Sequence, residues 1–458
     1  MCRVLYSGEQ EAKLKPNTMN VYIETYGCQM NEYDSEIVKS LLLENDYILV
    51  DNPEQADIIL LNTCSVREHA SRKVIARVHA LRHLNNGRQK KIGLLGCMPT
   101  NYRRELINDK KLPIDFIAGP DSYKRLASLI DEHIDSGKRT FDIRLSRSET
   151  YSDVHPFRAQ GVNAWIAVMR GCDNYCTFCV VPYTRGRERS RSVESIVNEA
   201  RRLAKCGYKQ VTLLGQNVNS YQHSEHDFGY LLDKVSEVDG LERIRFTSPH
   251  PKDFPRSLLR VVAENDKVCK HIHLPLQAGN TRILDMMNRT YSKEEFLDLV
   301  HEIRDFYPDM VLSTDIIVGF PTETETEFDD TVDVVAHVAF DSAFIFKYSE
   351  RKGTIAARKY PDDVPEAIKT ERIVRLNELQ KEISLKKNKA HIGQEHKVLI
   401  ESMTTKKSHT DVQGRNDGNK LVILPGGDYC TGDFVRAKIV DASAHVLKGI
   451  VTSVVHAV

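Results

Sequence analysis

Two series of short apolar runs, each alternating with helical stretches, constrain this chain more than any other feature, because strands joined through helices pair as parallel sheets. In the first series, runs at 21–23, 58–61, 92–95 and 116–118 alternate with helical patterns over 32–44, 67–84, 102–107 and 123–134. That βαβα order predicts an α/β domain with an open parallel sheet. In the second, runs at 165–169, 211–214, 244–247, 272–274, 312–318 and 343–346 are separated by helical stretches such as 193–206, 254–264, 293–306 and 325–338. Six βα units predict a full or partial (β/α) barrel with its chemistry at the carboxyl ends of the strands. Between the two series, 136–161 is polar and without apolar periodicity, and reads as a linker. After an amphipathic helix over 366–389, short strand-like runs at 398–401, 421–424 and 434–440, with turns at Asp417-Gly418 and Gly426-Gly427, predict a small OB-like β-barrel. That architecture often holds nucleic acid.

At 458 residues the chain has room for two or three domains, each with its own core. Lys+Arg and Asp+Glu stand at 64 each, so no global charge draws it to nucleic acid or membrane, and any RNA contact must be local. No apolar stretch approaches the roughly 20 residues of a membrane span, and residues 1–18 lack the apolar core of a signal peptide. A cytoplasmic protein with no membrane partner is expected. In a reducing compartment its ten cysteines are expected as ligands or buried thiols, not disulfides.

Six of those cysteines stand out. Cys172, Cys176 and Cys179 form a C-x3-C-x2-C run in the loop after the first strand of the second series. Three thiolates can hold three corners of an iron-sulfur cube and leave the fourth iron open, whereas an electron-transfer cluster normally uses four cysteines. A thioredoxin-like pair or a structural zinc site are the alternatives; the first leaves Cys172 unexplained, and no His or Cys follows at finger-like spacing for the second. Cys28, Cys64 and Cys97 follow the first three strands of the first series, among turn and capping residues. Carboxyl ends of parallel strands share one edge, so these three thiols can converge. The alternative is three independently buried core cysteines.

Polar residues collect at the strand ends of the second series: Gly215-Gln216-Asn217, Ser248-Pro249-His250, His273-Leu274-Pro275-Leu276-Gln277, and Thr314-Asp315 leading to Gly319-Phe320-Pro321-Thr322-Glu323. Gln216, Asn217 and Gln277 can donate to ribose or carboxylate oxygens, while a lone histidine at a strand end, such as His250 or His273, is more often structural than a ligand. Arg185, Arg187, Arg189 and Arg191 alternate after the cysteine loop, which could put them on one face for phosphate contact; the alternative is a structural salt-bridge role. From 386 to 420 eight Lys/Arg stand against four Asp/Glu, which suits RNA or an ordinary solvated face.

The C-x3-C-x2-C spacing resembles that of radical S-adenosylmethionine enzymes, and from about residue 19 the whole chain resembles the methylthiotransferases. Tyr26-Gly27-Cys28-Gln29-Met30-Asn31, Asn62-Thr63-Cys64-Ser65 and Met169-Arg170-Gly171-Cys172-Asp173-Asn174-Tyr175-Cys176-Thr177-Phe178-Cys179 are closest to the MiaB type, which acts on tRNA. Glu401, Lys406, Gly414-Arg415-Asn416 and Leu447-x-Gly449 match a TRAM pattern. The resemblance divides the chain into an unassigned tail (1–18), an amino-terminal methylthiotransferase domain (19–136), a linker (137–161), a radical core (162–390) and a TRAM domain (391–458).

The resemblance implies two 4Fe-4S clusters, one on Cys172, Cys176 and Cys179 that cleaves S-adenosylmethionine and one on Cys28, Cys64 and Cys97 that carries sulfur. It names no catalytic residue beyond these ligands. Phe178, Gln216, Asn217, Ser248, His273, Gln277 and Asp315 are the expected cofactor contacts, and Arg185, Arg187, Arg189, Arg191, Lys406 and Arg415 the expected RNA contacts. The implied reaction puts a methylthio group on C2 of an isopentenyl-modified adenosine 3′ of the anticodon, with one S-adenosylmethionine as methyl donor and one as radical source. The implied partners are a tRNA anticodon loop, a reducing system such as flavodoxin or ferredoxin, and a sulfur donor. The competing readings are a methylthiotransferase for threonylcarbamoyladenosine or for a ribosomal protein side chain, and a non-catalytic iron-sulfur RNA-binding protein or redox sensor.

Overall fold

A computed structural model describes residues 19–65, 68–82, 84, 90–109, 111–158 and 161–455; the tail at 1–18 lies outside the described residues. The chain divides into two compact units. The first comprises Met1–Ala159, Ala167–Ser192 and Arg351–Ile355, and the second Gln160–Ile166, Val193–Glu350 and Ala356–Val458. The division cuts across the boundaries expected from sequence. The cysteine loop and the polar linker pack with the amino-terminal sheet, and the carboxyl-terminal barrel packs with the (β/α) core.

The first unit is built on a six-stranded sheet, ordered Ile48–Leu49, Asn20–Thr25, Ile58–Thr63, Lys91–Gly96, Phe116–Ala118, Thr140–Asp142, with every pairing parallel. Two of these strands escaped the sequence reading. Ile48–Leu49 has two residues, and Thr140–Asp142 lies in the supposed linker, where three polar-flanked residues carry no period. The chain runs outward from Asn20–Thr25 to Ile48–Leu49, then crosses back to Ile58–Thr63 on the other side. This reversal makes the gap between Asn20–Thr25 and Ile58–Thr63 the topological switch point, where crevices form at the carboxyl edge of open sheets. Strand Ile58–Thr63 is buried along its whole length, as a central parallel strand covered on both faces must be. Ile59, Leu61, Val74, Val78, Leu81, Ile92, Leu94 and Ile117 form part of the core on one face of the sheet.

The second unit holds two three-stranded sheets, Arg243–Phe246, Gln210–Leu214, Asn163–Ala167 and His271–His273, Val311–Val318, Ser342–Lys347. A parallel bridge between Ile244 and Val268 links them, so the six strands run in sequence order as an open, partial (β/α) barrel. Helices Lys293–Phe306 and Glu325–Val338 begin with complete capping boxes, Ser292 with Glu295 and Thr324 with Glu327, which is why their limits were legible in sequence.

Helix Glu366–Lys389 leads into a closed five-stranded barrel ordered Glu395–Ser402, Asp411–Asn416, Leu421–Pro425, Leu447–Val455, Phe434–Ala442. Its core includes Val398, Ile400, Val412, Val422, Leu424 and Ile439. The barrel is tied to the (β/α) core by two buried arginines of strand Arg243–Phe246. Arg243 donates to the carbonyls of Arg415 (2.7 Å) and Lys397 (2.6 Å), and Arg245 to those of Asn416 (2.7 Å) and Asp417 (3.0 Å).

Candidate functional site

All three amino-terminal cysteines sit at the carboxyl edge of the six-stranded sheet. Thr25 pairs with Asn62, and Thr63 with Gly96, so the strands end in step. Cys64 and Cys97 follow their strands directly. Cys28 comes after a tight turn and caps helix Gln29–Glu44. Gly27 is obligatory in that turn: its φ is +126°, and a Cβ there would lie 2.4 Å from Cys64 Cβ. The backbone of the Cys28 turn therefore lies against Cys64, across the switch point.

The surroundings are polar and buried. Asn62 donates to Asn31 O (2.9 Å) and Ser35 Oγ (2.9 Å), tying the end of the second strand to the first helix. Asn31 Oδ1 lies 4.0 Å from Cys28 Sγ and accepts from Arg185 Nη2 at 2.8 Å. Cys28 itself is exposed, and its thiol is pulled down to about 6, first by its interaction with Cys64 and then by the positive charge of Arg185. Burial pushes the Cys97 thiol up, while the Arg185 charge opposes it and Cys28 adds to it. Cys28 thus interacts with both of the others.

Arg185 belongs to a buried ionic network. Asp34 Oδ2 accepts from Arg185 Nη2 at 2.8 Å, and Asp34 Oδ1 pairs with Arg170. Arg189 pairs with Asp121 at 2.9 Å, and Arg191 donates to Tyr33 Oη (3.1 Å) and Ala167 O (2.9 Å). Tyr151 lies under the Arg170 guanidinium, 4.7 Å from it, and receives the Tyr123 amide N–H at 3.0 Å.

The expected row of four phosphate-facing arginines is not formed. Arg185, Arg189 and Arg191 are 3%, 7% and 2% exposed, and only the Arg187 side chain, at 71%, reaches solvent, where it pairs with Asp173 at 2.6 Å. The reason is local. Val181–Thr184 is a helical turn and Arg189–Ser190 a two-residue strand, so no continuous strand spans the arginines to alternate them.

The second cysteine set lies on the loop after the Met169–Arg170 strand. Gly171 has φ +80°, and a Cβ on it would lie 2.1 Å from the Arg187 carbonyl. Cys172 N–H donates to Gly186 O (3.2 Å), the Cys179 N–H to Cys176 O (2.9 Å), and the Val181 N–H points at Cys179 Sγ (3.5 Å). Burial pushes the Cys172 thiol up to about 12, with Cys179, Glu188 and Cys176 adding negative charge, so the three thiols sense one another. Among the described residues no three His, Cys, Asp or Glu side chains converge as ligands of a single ion do. An iron-sulfur cube makes a different demand, since each thiolate binds its own iron, and the soft sulfur donors in both sets suit it. Phe178, half-buried, lies on this loop in the first unit.

In the second unit the other expected cofactor residues gather at the carboxyl ends of the strands. Asn217 is buried; its Nδ2 donates to Asp253 (3.0 Å), and its Oδ1 has no partner among the described residues. Ser248 (φ +59°) and Gln277 (φ +68°) hold left-handed turns, and the Gln277 backbone brackets Asp315 and Ile317. His273 sits between Ser313 Oγ (2.9 Å) and Asp315 Oδ2 (3.2 Å), so the two expected contacts His273 and Asp315 pair with each other. Gln216 is half-buried beside Asn217. His250 is held at both its N–H and carbonyl by Asn219, and burial, with Arg289 and Lys252 nearby, lowers it to about 2, a neutral ring. Its Nε2 has no partner among the described residues. In the following loop, Glu323 accepts from the Gly319 N–H (2.5 Å) and Arg372 (2.8 Å), and burial raises it to about 7.

On the small barrel, Lys406 and its neighbour Lys407 are exposed. Arg415 is committed within the barrel, to Glu401 (3.3 Å) and Asn419 O (2.8 Å).

Sequence reasoning missed Asp34, Asn31 and Asn62. A signal existed: Asn31, Asp34 and Ser35 are polar residues on the buried face of helix Gln29–Glu44, and a polar group on such a face needs a partner.

Family comparison finds the radical SAM superfamily over residues 166–335, the uncharacterized protein family UPF0004 over 20–119, and a TRAM domain over 389–452. The chain is 43% identical to a tRNA-2-methylthio-N(6)-dimethylallyladenosine synthase of Phocaeicola vulgatus, over 94% of this chain and 95% of that protein. It is 45% identical to the Porphyromonas gingivalis synthase of the same name (96% and 95%), and 41% identical to a mouse mitochondrial tRNA methylthiotransferase (94% and 80%). In fold it is similar to the radical S-adenosylmethionine methyltransferase TsrM of Kitasatospora setae, at a TM-score of 0.55 and 13% identity over 74% of each chain.

Proposed function

Because the chain belongs to the tRNA methylthiotransferases of the radical S-adenosylmethionine superfamily, we propose that it converts N6-dimethylallyladenosine in tRNA to its 2-methylthio derivative. It is an enzyme whose substrate is tRNA and whose family uses a 4Fe-4S cluster with S-adenosylmethionine. The target is C2 of the modified adenosine 3′ of the anticodon, within a single-stranded loop whose bases can be unstacked and read. That carbon offers no acidic proton and no leaving group. When bound, the cluster and S-adenosylmethionine supply the radical chemistry that such a position demands.

The chain's own residues divide the remaining work. Cys172, Cys176 and Cys179 hold the first cluster, on a backbone that Gly171 lets pass under Arg187. Cys28, Cys64 and Cys97 hold a second cluster, the station for the sulfur to be transferred. Asn217, with its free buried Oδ1, and Gln216, Ser248 and Gln277 orient S-adenosylmethionine, while the His273–Asp315 pair presents a fixed polar edge beside them. Lys406 and Lys407 contact RNA phosphate. Electrons come from a flavodoxin or ferredoxin, sulfur from a separate donor, and the protein works in the cytoplasm. No helix among the described residues is long and apolar enough to cross a membrane.

The observation that carries this reading is the set of Cys28, Cys64 and Cys97 at the carboxyl edge of the six-stranded sheet, because cleavage of S-adenosylmethionine alone needs only Cys172, Cys176 and Cys179. The test is mass analysis of nucleosides from tRNA treated with the reconstituted enzyme, with and without prior isopentenylation. A 2-methylthio product on isopentenylated tRNA and little on unmodified tRNA is expected. Five apolar carbons buried at up to ~0.8 kcal/mol each contribute a few kcal/mol to positioning the base. Equal product on both, or product on threonylcarbamoyladenosine or a ribosomal protein instead, would overturn the proposed substrate.

A further inference from the structure

The buried arginines beside Cys28, Cys64 and Cys97 outnumber the acids that pair with them. In the first unit, Arg170, Arg185 and Arg189 share Asp34 and Asp121, a surplus of one positive charge among these five side chains. Taking a charge out of water is costly unless an opposite charge meets it. Arg170 and Arg185 both keep buried N–H groups without a partner among the described residues, and of the two Arg185 is the one placed beside the cysteines. Its Nη2 is used by Asn31 and Asp34, but its Nη1 is buried without a partner among the described residues. Its position faces the cysteines. The Asn31 oxygen that it holds is the one 4.0 Å from Cys28 Sγ, and the helical turn Val181–Thr184 that carries it packs against the Cys97–Asn101 helix.

We propose that Arg185 is a positioning residue for the sulfur-bearing centre, with its surplus charge balancing the anionic thiolates and raising the reduction potential of the cluster they hold. This rests on the reading that Cys28, Cys64 and Cys97 bind a cluster. A cube with a 2+ core and three thiolate ligands carries a net charge of −1, and one-electron reduction takes it to −2. A fixed cation stabilises the second state more than the first, so the potential rises with the cation and falls without it. Arg170 and Arg189 serve a different end. Arg170 pairs with Asp34 over the Tyr151 ring and Arg189 pairs with Asp121, whereas Arg185, which shares Asp34, also holds the Asn31 oxygen beside Cys28 and is the cation directed at the thiols.

The test uses the full-length chain with Cys172, Cys176 and Cys179 replaced by Ala, reconstituted anaerobically, so that one cluster remains. Its midpoint potential is measured by dithionite titration with mediator dyes, read by EPR; dithionite supplies the one electron. R185Q should lower the potential and speed iron loss to a chelator several-fold, while R185K, which keeps the charge, should stay close to the parent. D34N, which removes a competing negative charge, should raise the potential. It tests the same electrostatics with the opposite sign should R185Q fail to fold. About four irons in the parent with no shift in R185Q and D34N, or shifts of the same sign in both, would overturn the role of Arg185. A parent that binds no iron would remove the cluster itself and this role with it.

Discussion

Gly171 shows how far a single residue is constrained at this site. With φ at +80° and an Arg187 carbonyl where its Cβ would be, any side chain must displace backbone. An unstrained Gly→Ala replacement stabilises by up to ~1 kcal/mol, whereas Gly171→Ala should destabilise by more than that. Its effect should fall on the loop that carries Cys172, and iron held by Cys172, Cys176 and Cys179 should drop. Iron analysis in a chain lacking Cys28, Cys64 and Cys97 checks this, and full retention would show that the loop tolerates the change. The two cysteine sets should also fail differently. Replacing Cys172, Cys176 and Cys179 by Ala should abolish reductive cleavage of S-adenosylmethionine. Replacing Cys28, Cys64 and Cys97 should leave cleavage measurable as deoxyadenosine while methylthiolated tRNA disappears. Thiolation by the second variant would mean that sulfur reaches the base without those residues.

At the scale of an element, helix Glu325–Val338 is anchored at its start by more than its capping box. Glu327 accepts from the Thr324 N–H (2.9 Å) and hydroxyl (2.8 Å), and Arg282 grips the same carboxylate through Nε (2.5 Å) and Nη2 (2.8 Å). Arg282, helped by Thr324, holds the Glu327 carboxyl down to about 2, from an ordinary 4.5. A depressed acid contributes stability above its unfolded value, and that contribution is lost as pH falls from 4.5 toward 2. Thermal melts of Glu327→Gln and the parent should differ most near neutral pH and converge below pH 4.5. Parallel curves across that range would show that the pair contributes nothing. Thr324→Ala, which removes the cap at every pH, should cost about 1 kcal/mol even below pH 4.5, and more near neutral pH, where its hydroxyl also holds the ionised Glu327.

At the scale of the molecule, the small barrel is part of its unit, and this changes how RNA binding must be tested. Removing residues 392–458 strips four carbonyl acceptors from the buried Arg243 and Arg245. Hydrogen bonds to charged groups contribute ~1.5–3 kcal/mol each, so their loss rivals the whole ~5–15 kcal/mol stability of a domain. The truncated chain should be poorly folded, with a lowered melting temperature. Lys406→Glu with Lys407→Glu avoids the problem, because both side chains are exposed. That double variant should keep the parent's melting temperature and its cleavage of S-adenosylmethionine, bind tRNA more weakly, and show a shallower dependence of binding on salt. Unchanged tRNA affinity would move the RNA contact elsewhere.

The sequence by itself determined which segments are strands and helices where their period was long and their caps complete, as in Lys293–Phe306 and Glu325–Val338. It also placed all six cysteines on loops after strands, Cys28, Cys64 and Cys97 at the shared carboxyl edge of a parallel sheet, and Cys172, Cys176 and Cys179 after Met169–Arg170, whose pairing with Arg189–Ser190 is antiparallel. Several strands were beyond it. Thr140–Asp142 is three residues long and Asp411–Asn416 largely polar, and both become strands through their partners, whereas the nine-residue, β-branched Leu447–Val455 carried a strand pattern that went unread. The fate of the charged residues lay further out of reach. Arg185, Arg187, Arg189 and Arg191 look alike in sequence, yet only Arg187 is left in solvent. The other three turn inward because acids and hydroxyls wait there, Asp34 for Arg185 across 151 residues and Tyr33 for Arg191 across 158. Periodicity follows from the geometry of neighbouring residues, whereas a charge can be buried only where a distant part of the chain supplies its partner. Only the tertiary structure decides where that is.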